Sequence, residues 1–247
     1  MCYIIGAASE NHWKQSGQPV PEWERPEDRA GVMNGTYTPN TECVGLIADT
    51  HGRAEPLSMA IRELVRRKAR NLFHLGDFLD SVYVEEIDEV VQLIQDHDVL
   101  PIMGNNDYQV MKTLFESERQ YPGKQNGLLG FLKQIPLRSI AGSICFAHSL
   151  PFGDFRSFYE PIDTGTTSKA SEIFNKTQYK ILFCGHSHES VFFRCDSGVV
   201  TRERAAPGQR IEILEHQRYI FIVGSAEKGE CGLYNSRQGY YERIMLT

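Results

Sequence analysis

Val44-Gly-Leu-Ile-Ala-Asp-Thr-His-Gly52 is a short apolar run that ends abruptly in an acid and a histidine, and it sets the architecture of this chain. Such a run is typical of a buried β-strand, and the polar residues after it begin a loop. Pro56 suits the first turn of a following helix. Apolar residues at helical spacing then form one stripe: Leu57, Ala60, Ile61, Leu64 and Val65. The stretch therefore predicts a strand, a loop and an amphipathic helix.

The same unit recurs twice along the chain. A second strand is predicted directly before Gly76-Asp77, and a third directly before Gly104-Asn105. The helix between them is indicated by a second apolar stripe: Val84, Ile87, Val90, Val91 and Ile94. Asp49, Asp77 and Asn105 follow one another at intervals of 28 residues, close to the length of a βαβ unit. We therefore expect three parallel strands whose carboxyl ends share one edge, where open α/β sheets place ligands.

The second half of the chain is rich in short apolar runs. Residues 144–147 end in His148, and residues 181–184 end in Gly185-His-Ser-His188. Further strands are predicted near residues 191–195, 199–203, 210–214, 218–223, 231–235 and 240–246. An α/β fold with four layers, α/β/β/α, in which two mixed β-sheets are flanked by helices, accommodates both halves.

We expect residues 1–247 to form a single domain, because the polar residues at the strand ends must meet in one place. Residues 9–41 are an exception, since they are rich in Pro, Glu, Asn and Gly and show no helical or strand period. They are interpreted as an irregular N-terminal arm. Its Trp13 and Trp23 suit contacts with the body or with a neighbouring subunit, so a homo-oligomer is compatible with the sequence, as is a poorly ordered extension.

The amino-acid composition limits the kinds of molecule that this chain is expected to bind. The net charge is −6, with 23% charged residues of mixed sign and no long basic run, so there is no electrostatic sign of nucleic-acid or membrane binding. The apolar stretch at residues 3–8 is too short for a signal peptide or a membrane span. The six cysteines form no Cys-x-x-Cys pair, which suits a reducing compartment. We expect a cytoplasmic protein that acts on a small substrate.

Seven side chains at the predicted strand ends are of the types that bind metals: Asp49, His51, Asp77, Asn105, His148, His186 and His188. In an extended chain, residues two apart point the same way, so Asp49 with His51 can form a two-pronged clamp, as can the two histidines of residues 186–188. Oxygen and imidazole ligands without thiolate suit Mn²⁺, Fe²⁺, Zn²⁺ or Ni²⁺. Seven ligands are too many for one tetrahedral ion and suit two divalent ions that share a carboxylate.

In this order, the runs Asp-x-His, Gly-Asp, Gly-Asn-x-Asp, a later His and Gly-His-x-His resemble the calcineurin-like metallophosphoesterase superfamily, closest to its bacterial and archaeal phosphodiesterase branch. The resemblance divides the ligands into three groups: Asp49, His51 and His188 for one metal, Asn105, His148 and His186 for the other, and Asp77 as the bridge. It implies a dinuclear-metal-dependent phosphoesterase in which a hydroxide that bridges the metals attacks a phosphate ester.

Position 106 departs from the family's commoner run Gly-Asn-His. Asn106 can donate a hydrogen bond to a phosphoryl oxygen but cannot deliver a proton. General-acid help is typically worth ~10²–10⁴-fold, so its absence favours leaving groups that depart readily. We therefore expect a phosphodiester or nucleotide-type substrate, with Asp77 and Asn106 as catalytic residues and Asn106 also in contact with the substrate.

Several alternatives stay open. The chain could be a phosphomonoesterase or a dinucleoside polyphosphate hydrolase, or a non-catalytic binding scaffold of the same fold. The aromatic stretch at residues 152–159 suits either a substrate wall, in which Arg156 meets phosphate, or a hydrophobic loop. Asp80 and Asp107 suit either support of a ligand histidine or a helix cap. His74 is interpreted as a core or supporting histidine rather than a ligand.

Overall fold

The computed structural model describes residues 43–120, 127–149 and 166–247. Within them the strands are β1 (Val44–Ile47), β2 (Asn71–His74), β3 (Leu100–Pro101), β4 (Arg138–Ala141), β5 (Ile144–Ala147), β6 (Ile181–Cys184), β7 (Val191–Asp196), β8 (Val199–Arg204), β9 (Arg210–Glu212), β10 (Arg218–Ile222), β11 (Glu230–Asn235) and β12 (Tyr240–Met245). The helices are α1 (Ala54–Arg66), α2 (Ile87–Asp96), α3 (Asn105–Gln120), α4 (Gly127–Leu132) and α5 (Thr167–Lys176), with a 3₁₀ turn at Ala226–Lys228. The arm at residues 9–41 and the aromatic stretch with Arg156 lie outside the described residues.

The first sheet contains the strands of the predicted βαβ units, in the order β3-β2-β1-β11-β12-β9. β1, β2 and β3 run parallel, with Val44 beside Asn71 and Phe73 beside Leu100. β11, β12 and β9 are each antiparallel to the strand before them in this order. The carboxyl ends of the three parallel strands therefore lie at one edge, as the regular spacing of the acidic and amide residues predicts.

The second sheet has the order β4-β5-β6-β10-β7-β8. Its three central strands, β5, β6 and β10, are parallel, with Ile144 beside Ile181 and Tyr219 beside Ile181 on the other side. The outer strands β4, β7 and β8 pair antiparallel. His148 and His186 follow the carboxyl ends of two adjacent parallel strands, β5 and β6, which places them side by side.

Aromatic rings fill the space between the two sheets. Phe73 of the first sheet stacks on Phe146 of the second with ring centroids 4.0 Å apart. Tyr241 of the first sheet lies 4.4 Å from Phe221 of the second. All four rings are buried, and aromatic pairs of this kind stabilise a core beyond the area they bury. This packing holds the sheets face to face and brings their loops to a common edge.

Each sheet also buries its outer face. Along β6, Phe183 belongs to the core between the sheets, whereas Leu182 and Cys184 pack with Ile173 of α5. On the first sheet, the outer face packs against apolar residues of α1 to α4. Strands that are buried on both faces explain the continuous apolar runs in the sequence. The predicted four-layer α/β/β/α sandwich is confirmed.

The structure differs from the sequence prediction in its helices and in one strand. Val84, predicted to begin the second helical stripe, lies before α2 and is 53% exposed. α4, α5 and β4 have no counterpart in the prediction. Among the described residues, no helix has the length and apolar character needed to cross a bilayer.

Candidate metal centre

The seven predicted ligands lie in loops that follow the carboxyl ends of strands. β1 leads to Asp49 and His51, β2 to Asp77, and β3 to Asn105 at the start of α3. In the second sheet, β5 leads to His148, and β6 to the histidines at positions 186 and 188. Loops of both sheets therefore contribute to one edge of the sandwich.

Five of the seven have a backbone conformation that is rare for residues other than glycine. Their φ angles are positive: Asp49 55°, His51 48°, Asp77 54°, His186 74° and His188 58°. A left-handed conformation costs an ordinary residue about 1–2 kcal/mol and persists where the surrounding structure imposes it, as it does at functional sites. The surrounding structure thus holds the ligand loops in a conformation that determines where their side chains point.

The first ligand group comprises Asp49, His51 and His188, whose ligand atoms all lie within 4.8 Å of one another. Nε2 of His51 lies 2.9 Å from Nε2 of His188. The latter atom lies 3.5 Å from Oδ1 of Asp49. Asp49 is fully buried and its two oxygens accept a hydrogen bond from the backbone N–H of His186 at 3.1 and 2.9 Å. A carboxylate oxygen and two imidazole nitrogens thus point at one small volume.

The second ligand group comprises Asp77, His148 and His186, again with ligand atoms within 4.8 Å of one another. Oδ1 of Asn105 lies 3.0 Å from Nε2 of His148 and 3.0 Å from Nδ1 of His186. His148 and Asp77 are 3.5 Å apart at Nε2 and Oδ2. Asn105 therefore joins this group, although its oxygen is neutral.

The hydrogen bonds around His148 show what this group requires. Nδ1 of His148 lies 2.7 Å from the carbonyl oxygen of Leu75, to which it donates. When the imidazole is neutral, Nε2 carries a lone pair that faces the Asn105 oxygen, which is also an acceptor. Facing acceptors repel each other unless a cation or a proton lies between them. The donor set therefore fits a divalent cation with oxygen and nitrogen ligands.

The electrostatics of the centre favour positive charge. Burial acts to lower the pKa of His148, but the charge of Asp77 and the hydrogen bond to it raise that pKa to about 9. Burial acts to raise the pKa of Asp77, but His148 and the donors of Asn106 hold it well below its usual range. The hydrogen bond to Asp49 likewise raises the pKa of His188. A cation bound here would meet the same negative field.

Three glycines next to the ligands leave no room for a side chain. A Cβ at Gly104 would lie 2.2 Å from both the backbone nitrogen and Oδ1 of Asp77. A Cβ at Gly76 would lie 2.4 Å from Nδ1 of His148. At Gly185 it would lie 2.8 Å from Oδ2 of Asp49. The glycines thus let the loops of the two sheets approach one another closely enough for the ligand atoms to converge.

Asp80 supports a ligand histidine. Its Oδ2 lies 3.2 Å from Nδ1 of His51, so Nε2 is the nitrogen directed at His188. Its Oδ1 accepts hydrogen bonds from the backbone N–H groups of Val82 and Tyr83 at 2.7 and 3.3 Å. Of the two roles predicted for Asp80, helix cap or support of a ligand histidine, the structure shows the second.

Of its two predicted roles, Asp107 fills that of a helix cap, and its other hydrogen bonds go to backbone N–H groups and not to a ligand histidine. Its Oδ2 accepts from the N–H of Gly104, the residue before α3, which is half of a capping box. The same oxygen accepts from the N–H of Asp77 at 2.8 Å, and Oδ1 accepts from the N–H of Leu79 at 2.7 Å. Asp107 therefore ties the loop of Asp77 to the start of α3.

Asn106 contacts Asp77 through two groups. Its backbone N–H donates to Oδ1 and its side-chain amide donates to Oδ2 of Asp77, both at 2.8 Å. The sequence prediction that Asn106 meets the substrate stays a prediction, because the amide is used here on the predicted bridging carboxylate. Arg156, the other predicted substrate contact, lies outside the described residues.

Sequence reasoning missed two backbone supports. The carbonyl of Leu75 holds His148, and no residue type signals such a contact. Ser225 follows β10, and its Oγ donates to the carbonyl of Asp49 at 2.8 Å; the sequence marks it only as part of a Gly-Ser turn. His74 is no ligand: it is fully buried and its Nε2 lies 3.0 Å from Oγ1 of Thr50.

Comparison with known proteins agrees with the fold. A family model described as the calcineurin-like phosphoesterase superfamily domain matches residues 43–228. An uncharacterized protein of Methanocaldococcus jannaschii is 25% identical over 205 residues, which cover 77% of this chain and 78% of that protein.

Two solved structures share the fold. A metallophosphoesterase from Sphaerobacter thermophilus superposes with a TM-score of 0.66 at 20% identity and covers 83% of this chain and 89% of that chain. A putative diadenosine tetraphosphatase superposes with a TM-score of 0.51 at 14% identity and covers 84% of this chain and 95% of that chain.

Proposed function

The chain belongs to the calcineurin-like phosphoesterase superfamily, and we propose that it hydrolyses phosphodiester or nucleotide-type phosphate esters with two divalent ions bound in its metal centre. The observation that carries the proposal is the pair of ligand groups at one edge of the sandwich. Each group offers a carboxylate and two imidazoles, and Asn105 adds an oxygen to the second.

The residues present would hold two ions in the manner that the resemblance implies. The ligands of the first ion would be Asp49, His51 and His188, and those of the second would be Asn105, His148 and His186, with Asp77 between them. Such ions supply positive charge for a phosphoryl group and lower the pKa of water. The ions could be manganese, iron, zinc or nickel, since all four suit this donor set.

The chain's own residues prepare the centre for that chemistry. Asp80 and the carbonyl of Leu75 fix which ring nitrogen of His51 and of His148 faces inward. Asn106 holds both oxygens of Asp77, which keeps the carboxylate in one orientation. Prearranged groups of this kind need no reorganisation at the moment of reaction.

A diester is the preferred substrate class because of Asn106. An amide donates hydrogen bonds but has no acidic proton, so a leaving group at this position would depart without that help. We also propose a small dissolved phosphate ester as the partner and the cytoplasm as the location, on the grounds of the mixed charge and the scattered cysteines.

The test is a panel of substrates with metal analysis. The purified protein is analysed for bound metal and then assayed with bis(p-nitrophenyl) phosphate, p-nitrophenyl phosphate and diadenosine tetraphosphate in added Mn²⁺. We expect bound divalent metal and the highest kcat/KM on the diester, with Asp77→Asn as the inactive control. Absence of metal and of turnover would favour a non-catalytic scaffold, whereas a preference for either of the other substrates would replace the diester.

A further inference from the structure

Arg53 and Tyr83 form a cation–π pair next to the loop of the first ligand group. The guanidinium carbon of Arg53 lies 4.6 Å from the centroid of the Tyr83 ring, within the range of a cation–π contact. Arg53 is two residues beyond His51, and its backbone N–H donates to the carbonyl of Thr50. The pair therefore begins where the loop of the first ligand group ends.

Both members of the pair are held in place from the protein side. The backbone N–H of Tyr83 donates to Asp80, the carboxylate that contacts His51. The Tyr83 hydroxyl donates to Oε1 of Glu86 at 2.5 Å, and Oε2 of Glu86 accepts from the N–H of Ala54 at 2.7 Å. The loop of Tyr83 is thus fastened to the ligand loop and to the start of α1.

A glycine permits this close approach. Gly52 has a φ of +73°, and a Cβ there would lie 2.6 Å from the carbonyl oxygen of Tyr83. Its backbone N–H donates to the carbonyl of Phe78 at 3.0 Å. The loop of Tyr83 is therefore in direct backbone contact with the loop of the first ligand group.

The guanidinium of this pair is accessible to solvent. Arg53 keeps 46% of its side chain exposed, although Nε donates to Oε1 of Glu227 at 3.0 Å. The next residue, Lys228, is exposed, and its positive charge acts on His188. The 3₁₀ turn that contains both lies against the ligand loop, since Ser225 and Glu227 donate to the carbonyl of Asp49. The charges of Arg53 and Lys228 are balanced at this rim by the carboxylates of Glu227 and Glu86, both of which interact with Arg53.

We propose that Arg53 and Tyr83 form a subsite for a planar aromatic group, a nucleobase or an aryl ring, that is attached to the phosphate of the substrate. The Arg53 guanidinium lies within cation–π distance of the Tyr83 ring and is accessible, and aromatic groups of different kinds pack on arginine side chains. The inference rests on the proposed function, since it assumes that phosphate binds at the neighbouring ligand groups.

The experiment is calorimetric titration of the Mn²⁺-loaded protein with inorganic phosphate, phenyl phosphate and adenosine 5′-monophosphate. The wild-type protein should bind the aromatic esters about tenfold more tightly than phosphate, as stacking of one ring would give. Arg53→Ala and Tyr83→Leu should each reduce this preference to about twofold or less, because each removes one partner of the cation–π pair. The matched control is Arg62→Ala, which removes an exposed arginine of α1 whose Nη1 donates to Oγ of Ser58 in the preceding turn.

The outcomes separate the two claims. Failure of phosphate itself to bind would overturn the proposed function and this inference with it. Phosphate binding without a preference for aromatic esters, or a preference that survives both substitutions, would overturn the subsite and leave the proposed function standing. A gain for adenosine 5′-monophosphate alone supports a nucleoside as the group, and equal gains for both esters support any aryl ring.

Discussion

Oδ2 of Asp80 lies 3.2 Å from Nδ1 of His51, which leaves Nε2 of that histidine directed at the first ligand group. A carboxylate on the outer nitrogen of a ligand histidine fixes its tautomer and makes the inner nitrogen a better donor to a metal. Asp80 cannot swing away easily, because its other oxygen holds the N–H groups of Val82 and Tyr83.

Replacement of Asp80 should therefore weaken metal binding more than it weakens the fold. For Asp80→Asn we expect the affinity for Mn²⁺ at the first ligand group to fall by about 10–100-fold, the usual cost of losing such a partner. Calorimetric titration of the metal-free protein measures it. Asp96→Asn is the control, because Asp96 is an exposed aspartate at the end of α2 that accepts a hydrogen bond from Gln92 of the same helix. An unchanged affinity would show that Asp80 serves only its own loop.

Alanine substitutions of two glycines, Gly104 and Gly130, should have opposite effects on stability. In Gly104→Ala the new Cβ would lie 2.2 Å from Asp77, so the ligand loop must shift, and we expect a loss of at least about 2 kcal/mol of unfolding free energy. Gly130→Ala in α4 meets no atom within 4 Å and should instead stabilise by up to about 1 kcal/mol, because alanine favours a helix. Urea unfolding measures both. Equal effects of the two substitutions would mean that the ligand loop can accommodate a Cβ at position 104.

The parts of the fold that could be predicted from sequence are those with a strong local pattern. β1, β5 and β6 are buried on both faces, so each is a continuous apolar run. α5 escaped prediction because its buried face consists of only three residues in a polar stretch, Ala170, Ile173 and Phe174. The placement of β11 between β1 and β12 has no local signal, since it depends on pairing between distant segments.

The candidate site divides in the same way. The ligand types and their meeting at one edge could be predicted, because the carboxyl ends of parallel strands share that edge. The prediction that the histidines at 186 and 188 form one clamp in an extended chain was wrong, since both have positive φ angles and they belong to different ligand groups. The roles of Asp80 and Asp107 could not, since an aspartate in a loop bonds equally well to a backbone N–H or to a histidine. The contact of Asn106 with Asp77 was also beyond prediction, because it depends on how two loops meet.

His74 should make stability depend on pH. Burial, aided by the charge of His148, lowers the pKa of His74 to about 3, so the folded protein keeps it neutral where the unfolded chain, with a pKa near 6.5, binds a proton. The unfolded state therefore gains protons as the pH falls from about 6.5 to 3, and folding stability is lost across that window.

The size of this effect can be isolated with one variant. When the pH falls from 7 to 5, the wild-type protein should lose about 2 kcal/mol of unfolding free energy because of His74. The variant His74→Gln should not show this loss. Urea unfolding of both proteins in chelator gives the difference, and other titrating groups cancel in it. An equal loss of unfolding free energy in the two proteins would mean that His74 is protonated in the folded state.

Asn106 offers the sharpest test of substrate class, because its side chain occupies Oδ2 of Asp77 and has no proton to give a leaving group. Asn106→His would place an acid at this position. We expect kcat/KM for phenyl phosphate to rise relative to that for bis(p-nitrophenyl) phosphate by at least about tenfold, since nitrophenol departs readily without protonation and phenol does not. Asn106→Ala is the matched control: it removes the same hydrogen bond to Asp77 without adding an acid, and should lower both rates with little change in their ratio. A ratio that is the same in the histidine variant as in the wild-type protein would show that proton delivery at position 106 does not set the preference for diesters.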